Sequence, residues 1–464
     1  MLKETVSRIN DIVWSPALVG LLIFAGLYFT FRTRFVQVRL LKTMVKTLFH
    51  GAKETSFSSK GVSSFQAFCM ALSSRVGTGN IVGVATALAF GGPGAIFWMW
   101  IIAFFGAATA FVESTLSQIY RFNHRGVWRG GPASYIEGAL KKKWLAVLFA
   151  VFTVIGYGTL LTTVQANGAA SAFYNTFNID PLVSGIVLAV ILAIVIIGGV
   201  KRIANVASVV TPIMSIAYII MAIAVLCVNY KAVPAMFVSI VTNAFAINPL
   251  CGGIIGTTIM MGVKRGLFSN EAGQGGGAIA SASAEVRHPA EQGLAQAFSV
   301  YVDTILVCTA TALMILSTGM FNVFDSASGE MIYAGAPELG NNYVGFTQAA
   351  IDTVFTGFGG GFVSVALLFF VFTTVMAYYF YAESSIIYIC QSMRKPRSPR
   401  LAIWIYRILF LAATVFGAAK EADVIWQMGD IGVGLTTWIN VIVILIIAPQ
   451  AFRSLKDYEQ KYLK

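Results

Sequence analysis

Ser73-Ser74-Arg75-Val76-Gly77-Thr78-Gly79-Asn80 is the stretch whose reading decides the fold. It lies midway along residues 61–90, a segment long and apolar enough to cross a bilayer. Two glycines two apart, an arginine and the polar residues Ser73, Ser74, Thr78 and Asn80 fall near its midpoint. A lipid-facing helix does not tolerate this, because every unpaired backbone N–H or C=O in hydrocarbon is costly. Irregular backbone at that depth persists only inside protein or against a water-filled cavity. The stretch therefore predicts a helix broken near 74–79 whose freed amides and carbonyls hold something. In secondary transporters, broken helices hold substrate and coupling ion.

The rest of the chain fits that setting. It has 464 residues, of which 57% are hydrophobic and 11% charged, and a mean hydropathy of +0.77. Soluble domains carry roughly 25% charged residues, so this chain cannot cover a water-facing surface and reads as one polytopic membrane domain over 1–464. Cys69, Cys227, Cys251, Cys308 and Cys390 are scattered through apolar segments without metal or redox spacing, and read as buried inert thiols. No cleavable leader is expected, since acidic as well as basic residues precede the first apolar run and no small-residue cleavage site follows it.

At about 20 apolar residues per crossing, eleven spans are predicted: 12–31, 62–89, 94–120, 144–173, 181–200, 207–228, 264–284, 289–318, 361–390, 401–416 and 423–447. Residues 234–261, interrupted by Asn248-Pro249, read as an interfacial helix, and 345–355 as a short helix within a long loop. Basic residues orient the spans. Residues 32–60 hold seven, 121–143 hold six, and others follow spans 5 and 9 and end the chain, whereas 320–360 hold none. With eleven spans all basic loops share one side, which is cytoplasmic. The N-terminus then lies outside and the C-terminus inside. The net charge of +12 is mostly this asymmetry, and no nucleic-acid partner is expected.

A second break recurs in span 7, Arg265-Gly266-Leu267-Phe268-Ser269-Asn270-Glu271-Ala272-Gly273-Gln274-Gly275-Gly276-Gly277. Five spans start at each break, 62–228 and 264–447, and the odd number inverts the second set. Matched interrupted segments are the best sequence pointer to a binding site in an inverted-repeat transporter. Span 1 is then an extra, and 448–464 a cytoplasmic tail.

Gly77-Thr78-Gly79-Asn80-Ile81-Val82-Gly83-Val84-Ala85, Gly91-Gly92-Pro93-Gly94-Ala95-Ile96-Phe97-Trp98-Met99-Trp100 and Gly266-Leu267-Phe268-Ser269-Asn270-Glu271-Ala272-Gly273 resemble the signatures of the alanine or glycine:cation symporter family. The resemblance runs over most of the chain. It implies an all-α, LeuT-type 5+5 inverted repeat, sodium (in some members proton) coupling, no cofactor beyond the coupling ion, a small neutral amino acid as cargo, and a prokaryotic plasma membrane. Gln274-Gly275-Gly276-Gly277 departs from the family pattern, being richer in glycine than the expected run of small residues and proline.

A zwitterion needs N–H donors for its carboxylate and carbonyls for its ammonium, and half-helix termini supply both. The amides near Thr78, Gly79 and Asn80 are the candidate carboxylate site. Carbonyls around Phe268, Asn270 and Gly273 are candidates for the ammonium, with Gln274 as a cargo contact and Phe268 as a pocket wall. The bland alternative is that the glycines serve close packing. Gln165 reads equally as cargo contact or interhelical bond, and Asn167 more readily as the latter. The LeuT-type comparison makes Thr373 and Thr374 sodium ligands, with carbonyls of Ser73, Val76 and Phe370, although adjacent threonines also back-bond within their helix. Asn80 is the candidate for a second sodium site on the same analogy. Arg75, Glu271, Asp303, Arg407 and Asp430 are charges at depth, which are usually paired or functional. Arg75 and Glu271 are expected to form or approach a pair, and Glu113 and Glu383 read as gate or surface groups near span ends. A glutamine carrier of the same family is the near rival. An ion channel would need a repeated filter that the chain does not show, and an enzyme reading finds no His-Glu-x-x-His, nucleophile elbow or ligand cluster.

Overall fold

The computed structural model describes residues 2–53, 61–245, 255–326, 328–393 and 398–463. Among them, eight helices are long and apolar enough to cross a membrane, and the shorter apolar helices Gly79–Gly91 and Pro181–Ile196 accompany them. Helix starts follow local chemistry. Proline opens Pro16–Arg32, Pro181–Ile196 and Pro289–Val300, where its missing N–H costs nothing. Ser63 and Gln66 form a reciprocal capping box at the head of Ser64–Arg75.

Both predicted breaks exist. Ser64–Arg75 stops, Val76 leaves the helix, and the chain resumes through a π-helical turn, Gly79–Gly83, into Val84–Gly91. Ile255–Asn270 stops, and Gly276–Ala282 follows. Between them Glu271, Gly273 and Gly275 all take positive φ, at 55°, 90° and 93°. Two further π turns, Gly156–Leu161 and Tyr301–Cys308, interrupt spans 4 and 8. Such turns are rare and gather at functional sites.

Small residues let the helices approach. A Cβ on Gly417 would lie 2.4 Å from Thr163 Cα, and one on Gly293 2.2 Å from Thr115 Oγ1. Between membrane helices this close contact, not burial from water, drives association. The helix Gly199–Val228 turns Val209, Ile213, Ile216, Ile220 and Ile223 outward, as a lipid-facing surface requires.

Several expectations change. The helix of span 7 already runs from Ile255, nine residues before the predicted start, so the stretch read as one interfacial helix holds Val233–Ala244 and part of the helix Ile255–Asn270. Asn248-Pro249 and Cys251 lie outside the described residues. Cys69, Cys308 and Cys390 are buried, but Cys227 is exposed on the lipid-facing helix. The basic loop after span 3 holds a hairpin, β1 (Phe122–His124) and β2 (Val127–Arg129), closed by Arg125 and Gly126 at positive φ, the pattern of a tight primed turn. The loop after span 8 holds a second hairpin, β3 (Asn322–Phe324) and β4 (Met331–Ala334). At one end of the molecule Val62, which precedes the first broken span, bridges in parallel to Ala284, just after the second. The two broken spans therefore run in opposite directions.

Candidate functional site

The breaks meet at the centre, and the residues predicted above for cargo, sodium and the charge pair are all buried, while Arg407 is half-buried. Where Ser64–Arg75 ends, the last carbonyls have no helical partner. Thr374, halfway along Gly359–Ser392, sits against them: its hydroxyl lies 2.7 Å from Ser73 O, 3.2 Å from Val76 O and 2.8 Å from its own helix at Phe370 O. A hydroxyl has one proton to give, yet three carbonyls converge on this one. The surplus of oxygen lone pairs suits a hard cation. Thr373 differs from its neighbour. Its hydroxyl donates only within its helix, to Phe369 O (3.1 Å) and Phe370 O (3.0 Å), which is the back-bonded alternative.

The amides of the first break are already engaged. Gly77 N donates to Asn80 Oδ1 and Thr78 N to Gln165 Oε1, each at 2.8 Å. Gln165 thus reaches the break itself, its carbonyl oxygen seated on the Thr78 amide. A Cβ on Gly77 would fall 2.6 Å from Gln165 Oε1 and 2.7 Å from Thr374 Oγ1, so glycine is required for this approach. Asn167 makes the bland contact, donating to Gly417 O (3.1 Å) and Lys420 O (2.7 Å) of span 10. Across the break, a Cβ on Gly79 would meet Phe268 Cδ1 at 3.2 Å. Phe268 packs on Trp426, ring centroids 5.1 Å apart, and stands beside the first break.

In the second break most of the polar groups close on protein. Asn270 Oδ1 accepts from Ala272 N (3.0 Å), Gly273 O accepts from Asn440 Nδ2 (2.9 Å), and Gln274 Nε2 donates to Leu267 O (2.6 Å) while Tyr157 OH donates to its Oε1 (3.2 Å). Gln274 therefore caps the half-helix Ile255–Asn270 with one of its two N–H groups.

Arg75 and Glu271 do not pair directly. Arg75 donates to Gln296 O (3.2 Å), Gln296 Oε1 (3.3 Å) and Ser299 Oγ in span 8. Glu271 Oε2 accepts from Ser74 Oγ at 2.8 Å, and Tyr381 OH donates to the same hydroxyl at 2.9 Å. Successive helical residues point about 100° apart, so when Ser74 faces the second break its neighbour Arg75 faces span 8. Glu113 and Glu383 are not surface groups. Glu113 accepts from Asn440 (2.9 Å), and Glu383 pairs with Arg129 of β2 at 2.8 Å, the hairpin having carried that guanidinium inward.

Three groups went without a role in the sequence. Asp303, in the π turn of span 8, is fully buried; it accepts from Asn80 Nδ2 (2.6 Å), Ser269 Oγ (3.0 Å) and Thr304 Oγ1 (2.7 Å). It joins both breaks through one carboxylate, and an acid at mid-span was its signal. Tyr157 lies in Gly156-Tyr157-Gly158 and Asn440 deep in span 11; each was visible as an interruption of an apolar run. Beyond Phe268 and Trp426, Asp430 pairs with both Lys264 and Arg265 at 2.8 Å, and the Arg265 guanidinium lies 5.0 Å from the Trp426 ring.

The profile of the sodium:alanine symporter family matches residues 1–464. The chain is 50% identical to YrbD of Bacillus subtilis strain 168, a protein named for sodium/proton-dependent alanine carriage, over 99% of this chain and 93% of that one. It is 47% identical to the sodium/proton-dependent alanine carrier protein of Bacillus sp. strain PS3, over 87% and 89%. It is 35% identical to the sodium/alanine symporter AgcS of Methanococcus maripaludis, over 98% of each. Among solved structures, a Na+-coupled sialic acid symporter superposes with TM-score 0.54 at 14% identity, over 94% of this chain and 87% of that one, and a manganese transporter of Eremococcus coleocola with 0.53 at 12%, over 85% and 92%. These last show a shared fold. Matched over its whole length, with its broken helices meeting at a buried polar centre, the chain belongs to the sodium:alanine symporter family.

Proposed function

We propose that the protein carries a small neutral amino acid, alanine or glycine, across the membrane together with sodium by alternating access. The observation that carries this reading is the set of Ser73, Val76 and Phe370 carbonyls around the Thr374 hydroxyl. That is an oxygen cage for a sodium ion, with Thr373 beside it as a weaker ligand. Asp303, Asn80 and Ser269 form a second cluster with the charge to hold a cation. Cargo lies between the breaks. Its carboxylate takes the amides of Thr78, Gly79 and Asn80 as Gln165 withdraws, and its ammonium faces carbonyls near Phe268, Asn270 and Gly273. Gln274 shapes the pocket floor by fixing the end of its half-helix. Phe268, against Trp426, limits side-chain volume. Steric exclusion must do this, because one methylene changes affinity by only about 1–3 kcal/mol.

The architecture we infer is the LeuT-type one: eleven spans, two inverted repeats over 62–228 and 264–447, span 1 outside them, N-terminus out and C-terminus in. The opposed direction of the broken spans supports it. Two buried ion pairs flank the centre, Arg265–Asp430 on the Phe268 side and Arg129–Glu383 on the other. We assign them to the outer and inner closures, with Arg75 and Glu271 holding the broken helices to spans 8 and 9.

The test is uptake of labelled alanine, glycine and glutamine into proteoliposomes with and without a sodium gradient. Sodium-driven accumulation of alanine or glycine is expected. Glutamine accumulation alone would transfer the assignment to the rival carrier, a function for which the 40% identical GlnT of Bacillus subtilis is named. Gradient-independent flux would remove the symport reading.

A further inference from the structure

Where the helix Pro16–Arg32 ends, the chain turns through Arg34 and Phe35, both left-handed at φ 55° and 57°. That conformation is costly for residues with a Cβ. Arg39 holds the turn together, donating Nη2 to Thr33 O (3.1 Å) and Nε to Arg34 O (3.2 Å). The turn faces the C-terminal end of the helix Ala422–Tyr462, and the two enclose a cavity of about 350 Å³ lined by Arg32, Arg34, Arg39 and Lys456 among others. One carboxylate lines it, Glu459, and Arg39 takes that at 2.6 Å. No ion pair among the described residues involves Arg32, Arg34 or Lys456. Three of the four cations that line the cavity thus have no ion-pair partner among the described residues. Phe452 lines its side beneath the Arg32 guanidinium, 5.7 Å from the ring centre. Around it Phe31, Phe35 and Leu41 are exposed, Phe31 and Phe35 packed edge to face at 5.4 Å.

We propose that this cavity is a binding site for the phosphate headgroup of an anionic phospholipid. Arg32, Arg34 and Lys456 receive the phosphate, and Phe31, Phe35 and Leu41 lie along the acyl chains. Guanidinium groups match phosphate oxygens in pairs. A basic pocket at the end of a spanning helix, flanked by apolar side chains, has the two-part character of a lipid; a free phosphate has no use for the aromatic edge. Basic pockets between helices at the membrane face are recognised lipid-headgroup sites. A lipid seated here would fasten the first spanning helix to the last one. The inference concerns a site at the rim of the bundle and is independent of the cargo assignment.

The test uses the full-length protein in nanodiscs of phosphatidylcholine containing graded phosphatidylglycerol, with retained lipid measured by native mass spectrometry. Preferential retention of phosphatidylglycerol is expected. The variant Arg32→Gln/Arg34→Gln/Lys456→Gln is expected to weaken it about a hundredfold, at the usual contribution per basic group near a membrane. The variant Lys141→Gln/Lys142→Gln/Lys143→Gln removes equal charge elsewhere and is expected to change retention by less than about threefold. Should the first variant not be recovered as folded protein, Arg34→Gln alone is expected to weaken retention about fivefold. Equal loss in both triple variants would assign the effect to diffuse charge and overturn the site. Equal retention of phosphatidylcholine would overturn it also. Full displacement of the lipid by millimolar inorganic phosphate would make the occupant a free anion and overturn the lipid assignment.

Discussion

The two breaks solve the same problem in different ways. The first bends with ordinary backbone angles, using one π-helical turn and an Asn80 side chain folded back on Gly77. It leaves carbonyls of Ser73 and Val76 aimed at another helix. The second reverses through three residues at positive φ, and its carbonyls and side chains are taken by Asn440, Tyr157 and Leu267. An opening with spare oxygen lone pairs suits a changing guest; one whose groups are mostly taken by protein suits a fixed scaffold. The comparison teaches that glycine content alone does not say which break does the binding. What matters is whether the freed peptide groups find protein partners.

The largest expected effect is in the scaffold. Gly275→Val places a β-branched residue at φ 93° with its Cβ 2.4 Å from Pro132 Cγ. Left-handed strain of about 1–2 kcal/mol adds to overpacking of about 1–3 kcal/mol, so folded yield and thermal stability should both fall sharply. By contrast Gly83→Ala, in the π turn of the first break with nothing within 4 Å of its Cβ, should be recovered normally; equal damage in both would end the distinction between the breaks. Next comes Gly77→Ala. Its methyl would intrude on Gln165 and Thr374, so sodium-driven uptake should drop more than about tenfold while monodisperse protein is still obtained. Normal transport would mean the first break is structural. Thr374→Val should raise the half-saturating sodium concentration about tenfold, the scale of one hydrogen bond to a charged partner, whereas Thr373→Val should move it less than about threefold. A reversed order would exchange the two threonines. The smallest effect is expected from Asn167→Ala, which removes interhelical bonds averaging about 0.6 kcal/mol; a slight fall in melting temperature with unchanged uptake would separate it from Gln165.

Residue type and position made the breaks legible before any contact was known. Polar residues and paired glycines in mid-membrane exclude continuous lipid-facing helix, and both interruptions occur within a few residues of their predicted places. The cluster of Ser73, Val76, Phe370 and Thr374 was also legible, through the resemblance of motifs rather than through spacing. Contacts depending on side-chain direction were not. That Ser74 rather than Arg75 meets Glu271 turns on helical phase where one helix stops. That Glu113 and Glu383 are buried depends on spans and a hairpin far away in sequence folding over them. Asp303 stood out as an acid in an apolar span, but only its position against both breaks makes it a junction.

Composition and pattern determined by themselves that this chain lives among lipids, that two of its helices are interrupted, and which way its charges are distributed. The bilayer is a severe solvent, so local violations of its rules can be read one segment at a time. The tertiary structure alone decided which freed peptide groups are satisfied by protein and which stay available. That outcome is set by groups 301 and 167 residues apart, Thr374 on Ser73 and Asn440 on Gly273, and hydrogen bonds of that kind leave no periodic trace in the chain.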